Sequence, residues 1–418
     1  MQKEYIKRNV ENLLLETFSD TPVTVLQGAR QVGKSTLLSM ISNSIDAKSI
    51  TLDDPDVLLS AKSDPKGFVD QYSSGTLIID EIQLLPSLLR TIKLSVDNKR
   101  RPGKFILTGS ADLLHISGAN ESLAGRAETV TLYPFSRGEI EGHKEDFITS
   151  ILNSDVSLLN KEIPQMSRKQ YADLVAIGGY PDAITRDDRR RNAYFKNYKA
   201  SVIDHDAVEI SGLAHLDKLG DVLSILSAQT SGELVNANIA KMTQIPERSI
   251  HAYIKLLENL CLLNTIPAWG RNLTKRSIGR KKISIIDTGF ASSINRITGE
   301  MLSDFNNGEV FGALLENFVA SEIYKQQTWS ETNFSIYHYR DTAMREVDLL
   351  IEMFDGRIIA LEIKAASSIS PKDFRGLKYL KEKIGDKFLK GFVLYTGNET
   401  LSFGDDIYCA PINIIWSK

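Results

Sequence analysis

A glycine-rich loop constrains the fold of this chain more than any other feature. Residues 28–35 read Gly-Ala-Arg-Gln-Val-Gly-Lys-Ser, which matches the G-x-x-x-x-G-K-[S/T] pattern of a phosphate-binding loop. The loop follows a β-rich run, residues 23–27, and precedes a predicted helix, residues 36–45. Glycines let successive backbone N–H groups face phosphate oxygens, and the positive end of the helix dipole adds to that attraction. The sequence therefore predicts a nucleotide site beside the first strand of a parallel sheet.

Two side chains of the loop have separate predicted roles. Lys34 is placed to reach the β- and γ-phosphates, and the Ser35 hydroxyl is placed to ligate Mg²⁺. The other residues expected around the phosphates are Gly28, Ala29, Arg30, Gln31, Val32, Gly33 and Thr36. The predicted cofactors are therefore ATP and Mg²⁺.

A second motif supplies the carboxylates that a nucleotide-hydrolysing site needs. Residues 76–81 read Thr-Leu-Ile-Ile-Asp-Glu, an apolar strand that ends in two carboxylates. Asp80 at the strand tip can hold Mg²⁺ through water, and Glu81 can act as general base on an attacking water. The pairing of the two motifs argues against a chance glycine loop.

The rest of the first 140 residues supports an α/β fold. Short apolar runs at 49–52, 104–107 and 128–132 alternate with helical stretches such as 84–96. That alternation predicts a parallel sheet covered by helices.

These motifs together resemble the AAA-type ATPases of the P-loop superfamily. The strand Phe105-Ile-Leu-Thr-Gly-Ser110 is similar to a sensor-1 strand, with Thr108 or Ser110 as its polar tip. Arg126 lies where such families carry an arginine that acts on a neighbouring subunit, and a structural salt bridge is the alternative role. No sensor-2 arginine is evident, so ring assembly as a homo-oligomer stays open.

In residues 216–290 the predicted pattern changes to short helices followed by a hairpin. Predicted helices at 219–226, 238–243 and 247–260 are followed by a predicted hairpin, 262–267 with 283–286, which is the order of a winged helix-turn-helix. The wing, residues 271–282, holds six basic residues and no acidic one, which favours contact with a DNA backbone. A protein-adaptor role with a solvated basic loop is the alternative.

The C-terminal part carries a second set of carboxylates. Two predicted strands, 346–351 and 357–364, form a hairpin in which Glu362 and Lys364 share one face, and Asp348 of the neighbouring strand can join them. Glu316 on the preceding helix can add a fourth group. Carboxylate oxygens suit Mg²⁺, and Lys364 would orient or activate water for attack on a phosphodiester.

This arrangement resembles the PD-(D/E)xK nuclease fold. The resemblance places Glu316, Asp348, Glu362 and Lys364 on the helix and hairpin motifs of that fold. It implies a restriction-endonuclease-like α/β domain whose metal ligands are Glu316, Asp348 and Glu362. Whether the domain still cuts is not decided by the motif.

The whole chain resembles a prokaryotic family of AAA-type ATPases with a C-terminal domain of unknown function. The resemblance is carried by the loop and by residues 80–83, 107–110, 122–126, 178–181 and 361–364. The predicted domains are an ATPase domain (1–140), a helical segment (141–215), a winged helix (216–290) and a nuclease-like domain (305–418).

Composition excludes several classes. The 418 residues carry a net charge of -3, so any nucleic acid must bind through a local patch. Two cysteines cannot form a disulfide framework or a multi-cysteine zinc site. No apolar run approaches the ~18 residues that a membrane span requires. We therefore expect a soluble cytoplasmic protein.

Three hypotheses remain open at this stage. The first is an ATP-driven DNA-binding enzyme that cuts DNA, and a metal between Asp348 and Glu362 would favour it. The second is an ATPase switch whose nuclease-like domain is a platform that does not cut, and a blocked carboxylate cluster would favour it. The third is a protein-remodelling ATPase, favoured by a recognition helix buried against another domain.

Overall fold

The computed structural model describes residues 5–109, 123–153, 163–210, 213, 216–270 and 279–417. The first part of the chain folds around a five-stranded parallel sheet with the strand order β2-β3-β4-β1-β5. Its elements are α1 (Glu11–Asp20), β1 (Val23–Gln27), α2 (Lys34–Ser42), β2 (Ala47–Thr51), α3 (Pro55–Ser63), α4 (Pro65–Asp70), β3 (Thr76–Asp80), α5 (Leu88–Asn98), β4 (Phe105–Gly109), β5 (Ala127–Thr131) and α6 (Arg137–Glu141).

The central strands of this sheet are apolar on both faces because helices cover both. In β1, Val23 and Val25 pack with α3–α5 on one side, whereas Leu26 faces α1 and the rest of the molecule. Continuous apolar runs of this kind are the pattern expected of buried parallel strands. The expected P-loop NTPase sheet is thus present, and its strands lie within two residues of the predicted runs.

The middle of the chain is mostly helical. It contains α7 (Phe147–Asn153), α8 (Arg168–Ile177), α9 (Asp188–Ser201), a π-helical turn (Val202–Asp206), α10 (Ala207–Ile210), α11 (Leu219–Ala228), α12 (Asn236–Thr243), α13 (Glu247–Asn259), β6 (Leu263–Ile266), β7 (Lys282–Ile285), α14 (Thr288–Ile294) and α15 (Gly299–Ser303). Strands β6 and β7 form an antiparallel hairpin. The predicted sequence of three helices and a hairpin is therefore found between residues 219 and 285.

The C-terminal part is a mixed six-stranded sheet with the order β12-β13-β11-β10-β9-β8. Its elements are α16 (Gly308–Gln327), β8 (Phe334–Arg340), β9 (Glu346–Met353), β10 (Ile358–Lys364), α17 (Arg375–Ile384), β11 (Phe388–Tyr395), β12 (Leu401–Ser402) and β13 (Ile407–Pro411). The predicted hairpin is β9 with β10, joined antiparallel.

One hydrophobic core runs through all three parts. It joins one face of the first sheet, the middle helices and one face of the C-terminal sheet, and α16 contacts both the middle helices and β10. The opposite face of the C-terminal sheet packs on α17 through Leu377 and Leu380. The P-loop sheet and the C-terminal carboxylates are therefore held in one packed body.

No helix within the described ranges combines the length and the apolar character needed to cross a bilayer.

Candidate functional site

The backbone of residues 28–33 has the shape that a phosphate cradle requires. Gly33 has a φ of 98° and Gln31 a φ of 61°, so residues of positive φ flank Val32, whose φ is negative. Such alternation turns successive N–H groups toward one concavity. Gly28 is fixed by close approach, because a Cβ there would lie 2.2 Å from the carbonyl oxygen of Leu132. The glycines at both ends of the motif are therefore required by geometry.

Lys34 is buried at the centre of this loop. Its Nζ donates to the carbonyl oxygens of Gly28, at 2.8 Å, and Ala29, at 3.0 Å. Burial lowers the pKa of Lys34, and the charge of Glu81 opposes that change. Its hydrogen-bond partners in the described part of the chain are neutral carbonyls, which leaves its charge available to an incoming phosphate.

Ser35 and the end of β3 meet across the cradle. The Ser35 hydroxyl donates to Asp80 Oδ2 at 3.0 Å, and the Thr108 hydroxyl donates to Asp80 Oδ1. The Glu81 N–H donates to the same Thr108 oxygen at 3.3 Å. A hydroxyl and a carboxylate side by side are hard oxygen donors of the kind Mg²⁺ prefers, so these residues fit that ion. The predicted Ser35, Asp80, Glu81 and Thr108 are thus brought together.

Glu81 is positioned by an unusual backbone. Its φ of 57° and ψ of 44° lie in the left-handed region, which turns its side chain away from the line of β3. Burial raises the pKa of Glu81, while a hydrogen bond from Gln83 acts in the opposite direction. A raised pKa makes this carboxylate a better proton acceptor.

Arg8, which the sequence motifs do not reveal, anchors the loop from outside. Its guanidinium donates to the carbonyl oxygens of Val32 at 2.9 Å and Tyr133 at 2.6 Å, and it is paired with Glu139 at 3.0 Å. The Arg8 and Glu139 side chains are 5% and 0% exposed, and Glu139 also closes a capping box with Ser136 at the start of α6. The loop conformation is therefore tied to α6 by a buried ion pair.

Arg30 links the loop to the middle of the chain. Its Nη1 lies 2.5 Å from Oδ1 of Asp206 in the π-helical turn. Burial raises the pKa of Asp206, and the charge of Arg30 opposes that change. π-Helical turns are rare and are frequent at functional sites. The loop is thus in ionic contact with the segment that follows α9.

The other predicted ATPase residues differ in exposure and in distance from the phosphate cradle. Within the loop, the Ala29 and Val32 side chains are buried, whereas Thr36 is exposed in the first turn of α2. Arg126 precedes β5 and is paired with Asp97 at 2.5 Å. Phosphates bind at the carboxyl ends of the strands, whereas Arg126 lies before the amino end of β5. Along the strand it is therefore about 16 Å from that edge within its own chain. Its role toward a neighbouring subunit stays a prediction, and Ser110 lies outside the described residues.

The C-terminal carboxylates form a cluster, but around a lysine. Lys282, the first residue of β7, lies 2.7 Å from Glu316, 2.9 Å from Glu346 and 3.6 Å from Asp348, and its side chain is 2% exposed. Although burial acts to lower it, these carboxylates raise the pKa of Lys282. We name these four residues the Lys282 cluster. Lys282 was predicted to belong to a DNA-binding wing, and its buried position excludes it from that surface.

Glu362 and Lys364 adjoin the Lys282 cluster. They project from the same face of β10 and pair at 2.6 Å, as the period of a strand predicts. Asp348 accepts a hydrogen bond at 2.8 Å from the Ile363 N–H. Burial raises the pKa of Glu362 to about 8, and its Oε2 atom is buried without a hydrogen-bond partner.

The predicted metal ligands therefore come together in a form that does not fit a metal. An ammonium group occupies the space between Glu316 and Asp348 where a cation would bind both. In the described part of the chain, no three His, Cys, Asp or Glu side chains form a group suited to hold a metal ion.

The hairpin region presents one exposed helix face. On α13, Arg248, His251 and Lys255 are exposed, with Glu247 at its start. Arg280 is paired with Glu233 at 3.6 Å. The greater part of the basic wing, residues 271–278, lies outside the described residues.

Three family models match consecutive parts of the chain. Residues 20–141 match a model described as an AAA domain, residues 168–300 match a domain of unknown function (DUF8612), and residues 311–415 match a domain of unknown function (DUF4143).

Two mycobacterial proteins are similar over nearly the whole chain. The uncharacterized proteins Rv2008c of Mycobacterium tuberculosis and Mb2031c of Mycobacterium bovis are each 23% identical over 411 residues, which is 98% of this chain and 84% of theirs. Among solved structures, the Walker-type ATPase PABY2304 of Pyrococcus abyssi is 17% identical, covering 70% of this chain and 97% of its own, with a TM-score of 0.44. DnaA from Aquifex aeolicus with bound AMPPCP is 14% identical, covering 60% and 86%, with a TM-score of 0.28.

The parallel sheet, the loop geometry and the AAA-domain match define the class of the first part. Residues 20–141 match an AAA domain and have a P-loop NTPase fold, with a five-stranded parallel sheet and a phosphate-binding loop after β1. The family match thus confirms the coarser part of the resemblance.

Arg8 gives this account of the loop a direct test. We expect Arg8→Gln to lower the free energy of unfolding by about 3–5 kcal/mol, because Glu139 is left as a buried charge without its partner. The same variant should weaken ATP binding, since Val32 and Tyr133 lose a common donor. Chemical denaturation and a nucleotide titration measure the two effects.

A matched control is Arg357→Gln, which removes an arginine paired with Asp355 where both side chains are about half exposed. That control should change neither quantity. An Arg8 variant as stable as the wild type would contradict the anchoring role.

Proposed function

We propose that the protein is a Mg²⁺-dependent ATPase that hydrolyses ATP at the loop of residues 28–35. The proposal rests on one observation: Lys34, Ser35, Asp80 and Glu81 lie together at one edge of the sheet. Thr108 links the two acidic residues, because its hydroxyl donates to Asp80 and accepts from the Glu81 N–H. This set supplies each function that phosphoryl transfer to water requires from a P-loop protein.

Each residue has a distinct part in the proposed reaction. The loop N–H groups and Lys34 bind the phosphates, and Lys34 offsets their negative charge. Ser35 and Asp80 would hold Mg²⁺, which when bound neutralises charge on the β- and γ-phosphate oxygens. Glu81 accepts the proton of the attacking water, and Thr108 fixes Glu81 through its N–H.

Two substitutions separate binding from hydrolysis. Lys34→Ala should abolish ATP binding, because a buried phosphate charge loses its partner. Glu81→Gln should keep ATP binding and lose turnover by about 10²–10⁴-fold, because the amide cannot accept the proton. Titration with labelled ATP and release of inorganic phosphate measure the two properties.

The exposed Gln71→Glu substitution in the first sheet domain serves as a control and should change neither property. Undiminished affinity in Lys34→Ala would contradict the proposed loop site. Normal phosphate release by Glu81→Gln would remove Glu81 from the mechanism.

The C-terminal geometry favours a switch over a constitutive nuclease. The Lys282 cluster is blocked by its own ammonium group, which is the arrangement expected of a nuclease-like platform that does not cut. We propose that the nucleotide state of the P-loop domain controls this C-terminal domain. In the described conformation, the C-terminal domain does not hydrolyse DNA.

DNA is the proposed partner of the hairpin region. One support is the exposed face of α13, where Arg248 and Lys255 lie about two turns apart. The other comes from the sequence, since residues 271–281 contain five further basic residues once Lys282 is set aside. This helix face is open to solvent, which weakens the hypothesis of a protein-remodelling factor with a buried recognition helix. The region would serve as a winged helix-turn-helix.

A charge-reversal experiment tests this partner. Arg248→Glu with Lys255→Glu should weaken binding to a labelled DNA duplex and reduce the dependence of log affinity on log salt by about 2, since two phosphate contacts are lost. Fluorescence anisotropy over a range of salt concentrations measures both.

The control pair Lys62→Glu with Lys66→Glu makes the same change of net charge on exposed residues of α3 and α4. Equal losses in the two pairs, or no binding by the wild type, would argue for a protein partner instead.

A further inference from the structure

An acidic residue from the middle of the chain lies against the phosphate-binding loop. The Asp206 side chain is 9% exposed, and its Oδ1 lies 2.5 Å from Nη1 of Arg30, the third residue of the loop motif. The charge of Asp206 also acts to raise the pKa of Lys34, so this carboxylate lies within electrostatic reach of the ammonium proposed to bind phosphate. The carboxylate and the phosphates have the same sign of charge, and like charges at short range repel each other.

Asp206 closes an unusual backbone segment. It is the last residue of the π-helical turn Val202–Asp206, and the Ala207 N–H donates to the carbonyl oxygen of Val202, five residues earlier. π-Helical turns are rare, so contacts with other parts of the chain are needed to stabilise this one. The ion pair with Arg30 is one such contact, and its loss would therefore loosen the turn.

The helix before the turn is firmly packed. Phe195 and Tyr198 of α9 contact Phe290 of α14, with ring centroids 5.6 Å and 5.3 Å away, and the hydroxyls of Tyr198 and Tyr180 lie 2.9 Å apart. Within the turn, by contrast, residues 204–205 are exposed. A change at the loop therefore acts on the turn before it acts on α9.

We propose that Asp206 is a nucleotide-responsive residue of the P-loop site: it binds Arg30 while the loop holds no nucleotide, and the phosphates of ATP displace it. Arg30 then donates to phosphate oxygens, and the π-helical turn loses a contact that ties it to the loop. An arginine suits this exchange, because its planar guanidinium binds carboxylate and phosphate alike. The inference rests on the proposed function, since it takes the loop of residues 28–35 as the ATP site.

The first test is the ATP affinity of full-length variants, measured by titration with labelled ATP and Mg²⁺. Asp206→Asn should bind ATP about tenfold more tightly than the wild type, because the amide neither repels phosphate nor forms an ion pair with Arg30. Asp204→Asn makes the same change of net charge at an exposed position of the same turn and should leave the affinity unchanged.

A double variant separates exchange from simple repulsion. Arg30→Gln should weaken ATP binding, and adding Asp206→Asn to it should raise the affinity by clearly less than tenfold, because the carboxylate no longer competes for Arg30. A full tenfold gain in the Arg30→Gln background would mean that Asp206 acts by repulsion alone, and this would overturn the exchange.

Hydrogen–deuterium exchange of residues 202–207 measures release of the turn in a protein that keeps Asp206. In Glu81→Gln, which should hold ATP without hydrolysing it, these amides should exchange faster when ATP and Mg²⁺ are added. With Asp206→Asn added, they should exchange equally fast with and without ATP.

The outcomes distinguish this inference from the proposed ATP site. An Asp206→Asn affinity equal to or below that of the wild type, or a turn whose exchange does not change on ATP binding, would overturn the inference and leave the site intact. Absence of ATP binding in both proteins would overturn the site and the inference together. Binding by Asp206→Asn alone would support both.

Discussion

A single buried helix with polar groups along its length holds the molecule together. Helix α16 is largely covered by protein, so its polar side chains must find partners in the elements that cover it. Glu316 binds Lys282, Asn317 bonds to Thr230 and to the carbonyl oxygen of Ile285, and Gln326 accepts from the Phe147 N–H. These bonds reach β7, the turn after α11 and the first residue of α7. The relative placement of these parts is therefore fixed by hydrogen bonding as well as by apolar packing.

This helix also links the two candidate sites. Near its C-terminal end, Lys325 donates to the carbonyl oxygen of Phe135 at 3.0 Å, and Glu322 accepts from the Arg137 N–H at 2.9 Å. Phe135 and Arg137 flank Ser136. Ser136 forms a capping box with Glu139, and Glu139 is the ion-pair partner of Arg8. Arg8 in turn holds Val32 of the P-loop.

Glu316 lies at the C-terminal cluster, and the same helix therefore connects it with the contacts that lead to the P-loop. It lies nine residues before Lys325 on α16, or about 13 Å along the helix axis. A change in the P-loop therefore has a short, buried, polar route to the residue that binds Lys282. Such a route makes coupling physically reasonable, and only an effect measured at both ends establishes it.

Local pattern was enough to predict most of the fold. The P-loop, the strand ending in Asp80 and Glu81, and the pairing of Glu362 with Lys364 all depend on residues close in sequence, whose geometry follows from helix and strand periods. Arg8 and Lys282 could not be found in this way. Their partners are more than 20 residues away, at Val32 and Glu316, and each looks like an ordinary surface charge in sequence. The one available signal for Lys282 was its position at the start of an apolar strand, where a solvated charge is unexpected.

Hydrogen–deuterium exchange tests the central claim most directly, namely that the nucleotide site and the C-terminal cluster are coupled through α16. The Glu81→Gln protein, with and without Mg²⁺ and ATP, provides the two states to compare. The account predicts altered exchange on ATP binding in the P-loop and also in residues 279–286 and 308–327. Changes confined to residues 5–141 would contradict it, because the P-loop would then act without reaching Lys282.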